Sequence, residues 1–83
     1  MYAINYDKKA ISFLDKLPFG MRERIMIKID DSQENPFRYF KKLKGKREFK
    51  LRVGDCRVIA DIDSSIKVVS IRKIGHRKNI YGE

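Results

Sequence analysis

Phe49, Leu51 and Val53 alternate with Lys50 and Arg52 up to Gly54-Asp55, after which Cys56, Val58, Ala60 and Ile62 alternate with Arg57, Ile59 and Asp61. Period-two alternation on both sides of a two-residue, glycine-containing break predicts a tight β-hairpin. With Gly54 and Asp55 as the loop, counting outward pairs Val53 with Cys56, Leu51 with Val58 and Phe49 with Ala60 on one apolar face. The same count sets Arg52 against Arg57, Lys50 against Ile59 and Glu48 against Asp61 on the other face. That polar face is dominated by cations, and like charges set directly opposite each other destabilise a sheet. A chain that keeps them has a use for them. Ser64-Ser65 reads as the next turn, and a strand Ile66 to Lys73 then pairs Val69 with Ala60 and Ile71 with Val58 and brings Arg72 beside Arg57.

The N-terminal half has a different period. Tyr2, Ile4 and Tyr6 form a short alternating strand that ends at Asp7, a good helix N-cap. Ala10, Ile11, Leu14 and Leu17 follow helical spacing, Pro18 and Gly20 interrupt it, and Met21, Ile25 and Ile29 resume it. Two short helices packed as a hairpin are expected. The segment Asp30 to Pro36 is turn-prone, and Phe37, Tyr39 and Phe40 anchor it to the core. The fold class expected is α+β, one domain over residues 1–83, in the order β-α-α-β-β-β. Both helices cover the apolar face of an antiparallel sheet.

Charge adds a functional constraint. Residues 38–83 hold 14 Lys/Arg against 5 Asp/Glu, whereas residues 1–37 hold 6 of each, so the net +9 lies in the sheet-forming half. Crowded like charge contributes nothing to folding but attracts a polyanion such as RNA or DNA. Eighty-three residues supply one modest core and no separate substrate-binding module, so any chemistry sits on the surface of the domain. A single cysteine, Cys56, forms no internal disulfide and with one histidine supplies no zinc site. No apolar run reaches the length of a membrane span, and Met1 to Tyr6 lacks the basic-then-apolar order of a secretory signal. A cytoplasmic setting with no cofactor, no metal and no membrane is expected.

A row of arginines suits a phosphodiester, because the guanidinium fork matches phosphate oxygens and stays charged. If the bound strand is RNA, the adjacent 2′-hydroxyl can attack phosphorus, and the protein needs a base, charge stabilisation and an acid for the departing 5′-oxygen. Histidine is the side-chain type that exchanges protons near neutrality, and the only one, His76, falls just after the last strand, where a loop can aim it over the sheet. Tyr81 can stack on a base or position the phosphate. Each residue also has a plainer reading: the cations as a solvated face, His76 as a surface or capping residue, Tyr81 as an aromatic against the core, Cys56 as a small apolar strand residue.

In combination they resemble a known family. Leu43-Lys44-Gly45, the stretch Phe49 to Ile59 and the closing Ile74-Gly75-His76-Arg77 with Tyr81 are similar to the signatures of the RelE/ParE superfamily of toxins from toxin–antitoxin pairs, most closely RelE. The resemblance spans essentially the whole chain. It implies a metal-independent endoribonuclease that cuts mRNA on the ribosome and is held inactive by an acidic, helical, RelB-like antitoxin. It implies catalytic roles for Lys50 in activating the 2′-hydroxyl, Arg57 and Arg77 in stabilising the phosphorane, His76 in protonating the leaving oxygen and Tyr81 in positioning. Arg52, Arg72, Lys44, Lys46 and Lys78 are the expected RNA-binding residues. Two positions depart from the family pattern: Glu48, where a second basic residue is frequent, and Cys56, where an aromatic is usual. Two other readings share the features: a ParE-like inhibitor of DNA gyrase, which has the same fold, and a non-catalytic RNA-binding module, which needs the basic face alone.

Overall fold

A computed structural model of the chain describes residues 1–76. Strand β1 (Ala3–Tyr6) leads into helices α1 (Lys8–Lys16) and α2 (Phe19–Asp31), followed by a single turn α3 (Pro36–Tyr39) and strands β2 (Lys41–Lys42), β3 (Phe49–Val53), β4 (Cys56–Asp63) and β5 (Val68–His76). The strands form one sheet in the order β1-β5-β4-β3-β2. The α+β class and the two helices on one face stand as the sequence implied. The sheet is mixed, because β1 lies parallel to β5, Ile4 beside Val69 and Tyr6 beside Ile71. Alternation identifies a strand but not its neighbour, and here the two helices carry the chain away from β1 before β5 returns to it. Among the described residues no helix is long and apolar enough to cross a membrane.

The core lies between the helices and one sheet face. Ala10 and Leu14 of α1 and Ile25 and Ile29 of α2, each pair four residues apart and so on one helix stripe, close over Leu51, Val53, Val58, Ala60, Val69, Ile71 and Ile74. Phe40 is buried and Tyr39 packs at the margin, so the aromatic cluster does anchor the segment after α2. Phe37 is exposed but edges onto Tyr2 and Phe49, with ring centroids 6.4 and 5.6 Å away. Pro18 precedes α2 in an extended conformation, and the residue before it, Leu17, is extended too, which separates the two helices.

The central hairpin has the expected register, from Phe49–Ala60 through Arg52–Arg57 to Val53–Cys56. Gly54 takes φ 58°, and Asp55 keeps a negative φ, the signature of a type II′ turn with glycine at its first central position.

The β4–β5 ladder differs. The turn holds four residues, Ser64 to Lys67, and Asp63 pairs with Val68. The Asp63 carboxylate accepts hydrogen bonds from the backbone N–H and hydroxyl of Ser65 and from the N–H of Ile66, at 3.0, 2.7 and 3.3 Å, while Lys67 absorbs the reversal at φ 56°. The longer turn moves the register by two, so Ala60 faces Ile71 and Ile62 faces Val69. A bulge follows: Ile59 pairs with Lys73, leaving Arg72 as the extra residue, and Val58 then faces Ile74. The bulge lets Ile71 and Ile74, three apart, both enter the core while Arg72 and Lys73 both stay outside it.

Candidate nucleic-acid interface

The face turned away from the helices carries the side chains that alternate with the core. Its successive rows follow from the ladders. One row is Arg52–Arg57–Gly75; the next is Lys41–Lys50–Ile59–Lys73; the third is Asp61–Ser70, and Glu48, just before β3, accepts a backbone hydrogen bond of 2.9 Å from Leu43. Rows on one face are two residues apart, about 6.7 Å.

Arg57 is the unusual member. Only 7% of it is exposed, and its Nε and NH1 atoms are buried with no hydrogen-bond partner among the described residues. Arg52 faces it from β3 and Gly75, which presents no side chain, faces it from β5. Arginine is rarely buried unless paired, and a buried polar group without a partner costs free energy that a ligand can recover. The guanidinium is therefore suited to receive an anion. Lys50 lies diagonal to Arg57, at a separation of about 7–8 Å between backbones, within reach of long side chains.

The other expected residues fall in three groups. Arg52 is exposed beside Arg57, Lys44 is exposed in the β2–β3 turn, and Lys46 is exposed just beyond it. Arg72 is not beside Arg57, because the register shift and the bulge place it three residues along β5 from Gly75, the residue that faces Arg57. There its Nε lies 3.4 Å from the Asp7 carboxylate and 3.7 Å from that of Asp61. Asp7 accordingly begins α1 without a side-chain capping bond. Arg77, Lys78 and Tyr81 lie outside the described residues.

His76 corrects an expectation. It is the last residue of β5, opposite Cys56, and its ring meets Phe13 of α1 edge-on at 6.2 Å between centroids. It thus belongs to the helix side of the sheet, whereas Arg57 belongs to the other. The bulge is the cause: an unbroken alternation from Ile71 would have put His76 on the cationic face. Cys56 is buried on the helix side as well, and burial, followed by Asp55, pushes its thiol pKa up against the opposing pull of Arg24, which keeps it a thiol and not a nucleophile. Burial and Asp30 likewise raise the Tyr6 hydroxyl. Among the described residues no group of three or more His, Cys, Asp or Glu side chains is placed to hold a metal.

The sequence profile of the ParE toxin of type II toxin–antitoxin systems matches residues 4–81. The chain belongs to this family. Its fold matches solved RelE toxins of the same superfamily: in the RelBE2 toxin–antitoxin complex of Mycobacterium tuberculosis, with 26% identity, TM-score 0.82 and coverage of 92% of this chain and 98% of the other, and in the archaeal RelE–RelB complex of Pyrococcus horikoshii OT3, with 26% identity, TM-score 0.81 and coverage of 94% and 97%. The isolated Escherichia coli RelE toxin has the same fold at TM-score 0.79 and 22% identity, over 99% of this chain and 93% of that one. No curated protein matches the chain in sequence.

Sequence reasoning missed several cations of this toxin's outer face. Lys41 was hidden because β2 is only two residues long, and Lys73 because its outward direction depends on the bulge. The spacing Ile71-Arg72-Lys73-Ile74, two apolar residues three apart inside a strand, was the available signal for both the bulge and Lys73.

Proposed function

We propose that this toxin cleaves mRNA on the ribosome, and the observation that carries the reading is the buried guanidinium of Arg57, whose Nε and NH1 find no partner among the described residues, within a cationic sheet face. The scissile phosphate binds at Arg57, with Arg52 adding charge from the facing strand. Lys50 activates the 2′-hydroxyl by placing its positive charge beside the oxygen as water takes the proton, and that oxygen forms a new bond to phosphorus as the bond to the 5′-oxygen breaks. The products are a 2′,3′-cyclic phosphate and a 5′-hydroxyl. Negative charge gathers on the non-bridging oxygens in the transition state, where fixed guanidinium groups stabilise it more than they stabilise the bound ground state. His76 takes no part, since it packs on Phe13 across the sheet; water at the open face protonates the leaving oxygen. Arg77 and Tyr81 keep the roles of phosphate stabilisation and positioning that the family resemblance gives them. The reaction needs neither metal nor cofactor.

The Mycobacterium tuberculosis and Pyrococcus horikoshii toxins are each bound to an antitoxin in their complexes, and a charge of +9 calls for an acidic partner. We therefore assign this toxin a RelB-like helical antitoxin that covers the cationic face, with cytoplasmic ribosomes and mRNA as the target. Expression of wild-type protein should stop translation and leave codon-phased cuts in mRNA. Arg57→Ala should lower cleavage by about 100-fold or more, the loss typical of one transition-state charge donor, with an unchanged circular-dichroism spectrum. Full toxicity of that variant would place the site elsewhere.

A second reading, inhibition of DNA gyrase, is favoured by the ParE profile itself, and the position of His76 removes one objection to it. Induction of the DNA damage response with intact mRNA would establish it in place of cleavage.

A further inference from the structure

At the end of the outer face away from the β3–β4 turn, the sheet opens into a cleft of about 590 Å³. Its walls carry Lys8 and Lys9 from the start of α1, Lys46 from the β2–β3 connection and Arg72 and Lys73 from the bulge, above a floor that includes Leu43 and Ile59. Cations from elements far apart in sequence converge on this space; Lys46 and Arg72 are among the RNA-binding residues expected from the sequence, whereas Lys8, Lys9 and Lys73 are not.

We propose that the cleft is a second phosphate subsite, which holds the RNA backbone one nucleotide away from the scissile phosphate. This rests on the RNA reading and adds the path of the strand to it. Arg57 and Lys73 belong to adjacent rows of the same face, so a strand with one phosphate at Arg57 reaches the cleft after a step of about 6.7 Å, near the spacing of successive phosphates in an extended single strand. Apolar Ile59 and Leu43 offer the intervening sugar and base a surface without competing hydrogen bonds. The carboxylates define where the track ends. Asp7, itself part of the cleft lining, and Asp61 hold Arg72, while Glu48, which also lines the cleft, and Asp61 in the third row make this end anionic. A further phosphate is repelled there, so the sheet accepts two phosphates and the strand then leaves it. An extended polyanion with regular spacing fits these rows better than a protein carboxylate, which needs one cation and no second row.

Titrations followed by NMR with two probes test this: a dinucleoside monophosphate, which has one phosphate, and a hexaribonucleotide made uncleavable by 2′-deoxy substitution. Lys8 and Lys9 are exposed, so Lys8→Ala/Lys9→Ala leaves the fold intact. It should weaken hexanucleotide binding by about 3- to 10-fold and flatten its salt dependence by about 0.7 in log–log slope, the share of the one phosphate that the cleft no longer neutralises on a single strand, with the dinucleotide unchanged. Glu48→Gln should tighten hexanucleotide binding, a gain that no folding defect can imitate. If the double variant and Glu48→Gln bind the hexanucleotide as wild type does while Arg57→Met weakens both probes, the subsite is wrong and the RNA reading survives. Should Arg57→Met change neither probe, the RNA reading itself fails. Unchanged RNA binding with weakened binding of the acidic antitoxin would make the cleft a protein-binding surface and overturn the proposal.

Discussion

Arg57 sets function against stability at a single residue. A buried guanidinium with two nitrogens that find no partner among the described residues is retained at a cost in the free protein, and removing a buried unsatisfied group recovers about 1–3 kcal/mol. Arg57→Met, which keeps the apolar stem and drops the charge, should therefore raise the thermal midpoint while abolishing toxicity. A lower midpoint in differential scanning calorimetry would mean that the guanidinium is satisfied by something else in the fold. His76 has the reverse profile. Its edge-on packing against Phe13 is worth about 0.5–1.5 kcal/mol, so His76→Ala should lose about that much stability and keep its activity. The Arg52–Arg57 pair was legible in the sequence, because a two-residue turn fixes the register completely on either side of it. The burial of Arg57 was not, since alternation assigns a face and says nothing of depth.

Strand β5 shows how one element decides the site. The bulge at Arg72 turns Ile74 inward, and with it His76, while Lys73 turns outward. Ile74→Ala should cost about 2–5 kcal/mol as a cavity opens against Val58, measured by urea unfolding; an exposed residue, as an unbulged strand would make it, would cost under about 0.5 kcal/mol. The turn before β5 makes a pH prediction. Hydrogen bonds from the Ser65 hydroxyl first, then from the N–H groups of Ile66 and Ser65, hold the Asp63 carboxyl below its usual range. Its stabilisation is present above the carboxyl's unfolded pKa and fades as pH falls through the lowered folded value. Wild type should thus exceed Asp63→Ala in thermal midpoint at neutral pH, with the gap closing in acid. A gap constant with pH would show that the carboxylate's charge is irrelevant to the turn. Two adjacent serines suggest a two-residue loop, and nothing in their chemistry announces the four-residue turn that Asp63 organises. The helices were legible from apolar spacing and the Pro18 break, though not the parallel placement of β1, which is a matter of partners rather than of period.

For the whole molecule, the net +9 and its confinement to the sheet-forming half were readable at once, but its organisation into rows depends on ladders that a linear sequence conceals. The helices protect one face; the other collects Lys41, Lys50, Arg52, Arg57 and Lys73, ending at an acidic row. Under the proposed function, RNA is cut on this outer face, with Arg57 at its centre and His76 on the far side. Mapping mRNA 5′ ends by primer extension in cells expressing wild type, Arg57→Met and His76→Ala tests it most directly. Codon-phased cuts with wild type and His76→Ala, and none with Arg57→Met, are expected. Cuts that persist in Arg57→Met, or vanish in a folded His76→Ala, would contradict it.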